Sequence, residues 1–167
     1  MSVVVYGIGP ENAKIMFIGE APGATEKSTG EPFSGKSGAR LDSWLAILGL
    51  AREDVYITNL VKEYLPKNRN PKKSEIDKWR PKLYKEIGTV DPKIIILLGK
   101  FAASEILGVV IKEYKTIQGV ITQVTVQGKP RVVLPLYHPA FVNRSKKAVG
   151  EEVELRFEML KDILENL

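Results

Sequence analysis

The chain has 167 residues, 44% of them hydrophobic and 27% charged, with a formal net charge of +5, one histidine and no cysteine. That composition supports one core-bearing domain over residues 1–167 and argues against disorder. With no thiol in the chain, disulfides, thiolate nucleophiles and cysteine-held metal or iron–sulfur sites are excluded. A single histidine excludes a histidine-rich metal site, and no acidic cluster asks for a cation, so neither metal nor other cofactor is expected. The longest apolar run, Ile94–Leu98, is too short to span a bilayer, and Met1–Tyr6 lacks the basic start of a secretory signal. The expectation is a soluble cytoplasmic monomer with no membrane attachment.

In chain order, Lys14–Gly19 reads as a strand that stops at Glu20-Ala21-Pro22-Gly23. Lys36–Leu50 reads as an amphipathic helix, because Leu41, Trp44, Leu45 and Leu48 recur at i, i+3, i+4 and i+7. Asp54–Leu60 is a second strand, and Lys62–Lys73 is a loop punctuated by Pro66, Asn68, Asn70 and Pro71. Ser74-Glu75-Ile76-Asp77 has the form of a capping box. It opens a helix with Ile76, Trp79, Leu83 and Ile87 on one face, in which Pro81 predicts a kink. Lys93–Gly99 is a third strand, apolar at nearly every position, as strands buried on both faces of a parallel sheet are. A short helix, Phe101–Leu107, follows. Alternation over Gly119–Gln127, a turn at Gly128-Lys129-Pro130 and a strand over Arg131–Tyr137 predict a hairpin feeding the last central strand. Glu151–Leu167 is a terminal helix with Val153, Phe157, Leu160 and Leu164 inward. The alternation of strands and helices predicts the α/β class: a three-layer α/β/α sandwich with a mostly parallel central sheet.

In such a sheet the strand ends collect on one edge, where open α/β folds bind ligands. There the chain offers the carboxylate of Glu20, the amide of Asn59, Gly99-Lys100 entering a helix, and His138, the lone imidazole. An amide donates and accepts side by side, which suits the edge of a nucleobase. A helix N-terminus suits a phosphate. Lys62, Lys67, Arg69, Lys72 and Lys73 crowd one loop, and Arg144, Lys146 and Lys147 follow His138. Both clusters fit either phosphate contact or a solvated surface.

Five stretches carry a family resemblance. They are Gly19–Gly38, Val55–Lys62, Pro66–Pro71, Leu98–Ala102 and Tyr137–Ala140, in order and spanning nearly the whole chain. Together they resemble the uracil-DNA glycosylase superfamily, nearest its family four. The resemblance implies a monofunctional enzyme that flips uracil out of single- or double-stranded DNA and cleaves the bond between base and deoxyribose. It implies Glu20 and His138 as catalytic residues, the first serving the cationic sugar and the second bonding uracil O2. It implies Ala21, Gly23, Glu26, Phe33 and Asn59 as substrate-binding. Phe33 would stack on the base, Asn59 would read the N3/O4 edge, and Glu26 would crowd the C5 side against a thymine methyl. Ser34, Gly35, Lys36, Ser37, Lys100 and Arg144 would meet DNA, with Phe141 and Val142 as the apolar wedge that base flipping needs.

The chain departs from that pattern in one major respect. Family four holds an iron–sulfur cluster on four cysteines, whereas here the third and fourth ligand positions are Glu63 and Trp79. Packing around Trp79 with Tyr64 and Leu65 is the expected substitute. Ser34, and Val142-Asn143 in the wedge loop, are smaller departures. The alternatives are the same fold acting on hypoxanthine or xanthine, or a catalytically silent nucleic-acid module. A nucleotide-binding protein is disfavoured, since neither phosphate-loop glycine motif is present.

Overall fold

The central sheet has five strands: β1 (Ile15–Gly19), β2 (Tyr56–Asn59), β3 (Ile94–Leu98), β4 (Thr122–Val126) and β5 (Lys129–Leu136). The computed structural model describes residues 3–167. The strand order is β2-β1-β3-β5-β4. All neighbours are parallel except β4, which pairs antiparallel with β5. The helices are α1 (Ala24–Thr29), α2 (Lys36–Ile47), α3 (Lys73–Val90), α4 (Lys100–Leu107), α5 (Tyr114–Ile117), α6 (Pro139–Asn143) and α7 (Lys147–Glu165). The α/β/α sandwich is therefore as the apolar runs predict.

The two faces of the sheet make two cores. On one, Ile15, Phe17, Ile94, Ile96 and Leu134 meet Leu41, Trp44 and Leu45 of α2 and Val153, Phe157 and Leu160 of α7. The aromatic rings there stack, with Trp44 and Phe157 centroids 5.3 Å apart. On the other, Met16, Ile18, Ile95, Leu97 and Val133 meet Leu83 and Ile87 of α3 and Ala102, Ala103 and Ile106 of α4. Alternate residues of each central strand feed opposite cores, so both faces are apolar and β1 and β3 are buried throughout. The N-terminal segment covers the outer edge of β2, where Ile8 and Ile57 exchange backbone hydrogen bonds. That pairing satisfies an edge that would otherwise be open.

Four local expectations need correction. The cap of α3 lies two residues earlier than predicted, at Lys72 rather than Ser74: Glu75, not Asp77, accepts the N-cap N–H, that of Lys72, at 2.8 Å, and Arg69 grips the same carboxylate at 2.8 and 2.7 Å. Asp77 instead pairs with Lys73 and Arg80. Pro81 leaves α3 continuous, because packing by Leu83, Ile87 and Val90 outweighs one forfeited backbone bond. The hairpin turns at Gln127-Gly128, both at positive φ (52° and 77°), so Lys129 and Pro130 already belong to β5. Two central residues with positive φ give the turn whose twist matches the strands. The C-terminal helix also starts earlier, at Lys147.

Candidate active site

The chain runs β1 to β2 on one side, then crosses to β3 on the other side of β1. The connections therefore diverge at the carboxyl ends of β1 and β3, and a crevice opens there. A cavity of about 720 Å³ occupies this crevice, and Glu20, Asn59, Gly99, Lys100 and His138 all line it. Ala21, Gly23, Glu26, Phe33, Gly35, Lys36, Ser37, Phe141 and Arg144 line it as well.

Glu20 directly follows β1 and is carried by it, its carbonyl accepting the Val61 N–H at 2.9 Å. Its side chain lies against Gly99, where an added Cβ would come within 2.7 Å of Oε1. Gly99 also has φ +103°, so position 99 needs glycine for both its conformation and the space it leaves. Burial raises the Glu20 carboxyl to about 6, and Lys100, at the start of α4, pulls it back down.

Asn59 ends β2 and is buried, and its Oδ1 has no hydrogen-bond partner. A buried polar atom of that kind calls for an explanation. Gly19, its neighbour across the sheet, is what admits it: a Cβ there would lie 2.5 Å from both Asn59 Oδ1 and Phe33 Cζ. Phe33 is buried with φ +53°, a conformation costly for an aromatic residue. The strain is held from behind. Arg52, itself paired with Asp42 at 2.6 Å, donates to the carbonyls of Pro32 and Phe33, and Gly38 leaves no room for a side chain against the Phe33 carbonyl.

His138 caps α6, its Nδ1 accepting the Ala140 N–H at 3.1 Å. With Nδ1 an acceptor, the proton of the neutral ring sits on Nε2. Burial first, then the charge of Arg144, lowers its pKa to about 4, against a smaller opposing pull from Glu26, so the ring is neutral near pH 7. Its ring stacks on Phe33, with centroids 5.7 Å apart. The Glu26 carboxylate accepts from the N–H groups of Gly23, Ser34 and Gly35 at 2.9–3.0 Å, which ties both ends of the intervening loop.

The rim divides the remaining candidates. Lys36 and Ser37 open α2 beside the cavity, and Lys100 opens α4. Ser34 is turned into its own loop, its hydroxyl bonded to Thr29 Oγ1 and the Glu31 carbonyl at 2.5 and 3.0 Å. Phe141 is 42% exposed and lies on Tyr137, centroids 4.7 Å apart. Val142 is not part of a wedge: it is 3% exposed and packs in the α2–α7 core. Successive residues of α6 lie about 100° apart around its axis, so one faces out and the next in. Lys62 leaves the basic loop cluster too, since it is wholly buried.

Asn68 and Tyr137, within the Pro66–Pro71 and Tyr137–Ala140 stretches, line the cavity, as does Tyr114, and Arg52 stands behind Phe33. Tyr114 and Tyr137 stand edge to face in the cavity wall, and the Tyr114 hydroxyl donates to the Leu136 carbonyl. No local pattern in the sequence marks Arg52 or Tyr114, because each reaches the site from a separate element.

The residues at the cluster positions do not fit an iron–sulfur centre. Glu63 and Trp79 are bonded to each other, Trp79 Nε1 donating to Glu63 Oε1 at 2.8 Å, and Lys78 Nζ meets the same oxygen at 2.8 Å. An indole N–H is a donor only and cannot ligate iron. Trp79 packs on the α3–α4 core that contains Leu65. Residues 62–64 are also tied to the N-terminal segment, through Val5 N–H to the Lys62 carbonyl and Tyr64 N–H to the Val3 carbonyl, at 2.8 and 2.9 Å. Among the described residues, no three His, Asp or Glu side chains come together as a metal site. Nor is any helix there long and apolar enough to cross a membrane.

The sequence profile of the uracil DNA glycosylase superfamily matches residues 6–167. A type-4 uracil-DNA glycosylase of Archaeoglobus fulgidus is 40% identical over 162 residues, 95% of this chain and 81% of the relative. One from Saccharolobus solfataricus is 41% identical over 140 residues, 81% of this chain and 65% of the relative. One from Thermotoga maritima is 35% identical over 167 residues, covering 96% and 79% of the two chains.

Proposed function

This chain belongs to the uracil DNA glycosylase superfamily, and from that premise we propose that it hydrolyses the N-glycosidic bond of uracil in DNA and leaves an abasic site. The observation that carries the reading is the unpartnered, buried Oδ1 of Asn59 in the wall of a cavity shared with Glu20 and His138. A flipped uracil supplies what that atom lacks. Its N3–H donates to Oδ1, and its O4 accepts from the amide nitrogen. Cytosine has an acceptor at N3 and a donor at C4, so it would leave both groups of Asn59 opposed to like groups.

Bond cleavage then divides between the two poles. As the bond from C1′ to N1 breaks, its electron pair moves into the uracil ring and positive charge grows on the sugar. His138, neutral with Nε2–H free to donate, stabilises the anion at O2. A neutral donor suits the task, since it strengthens as charge develops and keeps its proton. Glu20 faces the sugar as a carboxylate, stabilises the cation and takes the proton of the water whose oxygen bonds to C1′. A pKa of about 6 suits a base at neutral pH. Phe33 stacks on the base and Glu26 guards its C5 side.

Lys36, Ser37, Lys100 and Arg144 bind DNA phosphates around the rim, with Gly35 letting the backbone approach. Phe141 alone fills the gap in the stack.

The test is an oligonucleotide panel carrying uracil, hypoxanthine, xanthine or mismatched thymine, treated with the protein and then with alkali. Strand breaks at uracil are expected, in single-stranded or duplex form. Breaks only at hypoxanthine or xanthine would replace uracil by another deaminated base, and no breaks at all would leave a binding module.

A further inference from the structure

Behind Asn59, on the side of β2 away from the cavity, lies a buried charge pair that the chemistry above does not use. Lys62 Nζ is 2.5 Å from Glu86 Oε1, and the two side chains are 0% and 6% exposed. The ammonium also donates to Thr58 Oγ1 at 2.6 Å and to the Asn59 carbonyl at 2.5 Å. Its three protons thus have three acceptors. Glu86 is completed by the Tyr56 and Thr58 hydroxyls at 2.7 and 3.0 Å. The backbone at Gly7 seals the group, since a Cβ there would come within 2.5 Å of Glu86 Oε2 and 2.7 Å of Thr58 Oγ1.

A buried pair of this kind is weak as a source of stability, because apolar side chains of similar volume serve as well or better. Its hydrogen bonds point to another use. Asn59 is the last residue of β2, and beyond it the Leu60 and Val61 N–H groups still bond to the Gly19 and Glu20 carbonyls at 2.9 Å, while the Asn59 carbonyl is held by Lys62. We propose that Lys62, held by Glu86, is a positioning residue for uracil recognition: it anchors the Asn59 carbonyl and so fixes the direction in which the Asn59 amide enters the cavity. The anchor lies on the backbone of the very residue whose Oδ1 awaits a partner, and Thr58, the residue before it, is gripped by both charges. Selectivity for one base edge needs such precision, since a displaced amide loses the difference between uracil and cytosine first.

The inference rests on Asn59 reading the base, and the experiment separates the two claims. Lys62→Met, Glu86→Gln, the Lys62→Met/Glu86→Gln pair, Asn59→Ala and the Lys62→Met/Asn59→Ala pair are compared by single-turnover excision, inhibition by free uracil, and binding to abasic-site DNA. Measurements are made well below each variant's unfolding temperature. The positioning role predicts excision slowed about 10- to 100-fold in the lysine variants, weaker inhibition by uracil, and unchanged binding to abasic-site DNA. It also predicts that adding Lys62→Met to Asn59→Ala costs nothing further in rate, since the two act on one contact. Glu86→Gln keeps the shape of the site and gives the same direction of change if Lys62→Met does not fold. Lowered thermal stability with wild-type excision and uracil inhibition would overturn the proposal, as would full additivity with Asn59→Ala. Undiminished uracil excision by Asn59→Ala would remove the base-reading role itself, and this inference with it.

Discussion

Glu20 and His138 stand at the carboxyl ends of β1 and β5, with β3 between them. Burial pushes both towards their neutral forms, Glu20 up to about 6 and His138 down to about 4. Their neighbours act differently. Lys100 opposes burial at Glu20, so the carboxyl is mostly ionised at neutral pH; Arg144 reinforces burial at His138, so the imidazole is not. Desolvation works against the charged form at both poles, and the neighbouring charge is a cation at both. That cation favours an ionised carboxylate and disfavours an imidazolium, so the sign of each group's own charge makes the difference, giving an anion for the sugar pole and an uncharged donor for the base pole.

The largest expected effect is at the sugar pole. Glu20→Gln should slow excision by about 10²–10⁴-fold, the usual cost of losing a base or a charge partner to the transition state. The same change should stabilise the fold at pH 8, on the order of 1 kcal/mol. A raised folded-state pKa gives stability that is present below about 4.5 and lost as pH rises through about 6. Glutamine escapes that loss, so its advantage should vanish by pH 4.5 in thermal melts.

Next comes His138→Ala, expected to cost about 10²–10³-fold. A substrate with a more stable leaving anion, 5-fluorouracil, distinguishes the poles. It should recover much of the His138→Ala loss and little of the Glu20→Gln loss; equal recovery would mean that the two do not serve opposite charges. Stability moves oppositely as well. The lowered His138 pKa gives stability that is full above about 6.5 and lost as pH falls towards 4, and His138→Ala removes that slope.

Smaller effects should separate Phe141 from Val142. Phe141→Ala should slow excision from duplex DNA severalfold, with little change on single strands or in melting. Val142→Ala should do the reverse, destabilising by about 1–2 kcal/mol with near-normal turnover on the remaining folded protein. Smallest, and remote from both poles, Trp79→Phe should lower stability by about 1 kcal/mol through its lost bond to Glu63. It should leave the excision rate unchanged, and iron analysis of the purified protein should find no stoichiometric cluster.

The sequence made the frame legible where one signal dominated. Ile94–Leu98 could only be a buried strand, and Gly19-Glu20 and Tyr137-His138 mark strand ends that the sheet brings to one edge. It was less legible where two adjacent residues part company. Phe141-Val142 is one apolar dipeptide in the sequence, but α6, five residues long, sends one out and one in. Lys62 reads as one more basic loop residue, and only Glu86 from α3, 24 positions on, makes its burial possible. Arg52 and Tyr114 gain their places from the tertiary fold alone. Gln127 at positive φ hid the hairpin turn, since glutamine is not a residue that marks one.

The pH dependence of single-turnover uracil excision tests the division of labour most directly. Glu20 as carboxylate and His138 as neutral donor predict a rate that is flat from pH 7 to 9 and falls about tenfold per pH unit below an apparent pKa near 6. Glu20→Gln should abolish that limb. A limb that persists in Glu20→Gln, or a rate that rises as His138 is protonated towards pH 4, would contradict the account.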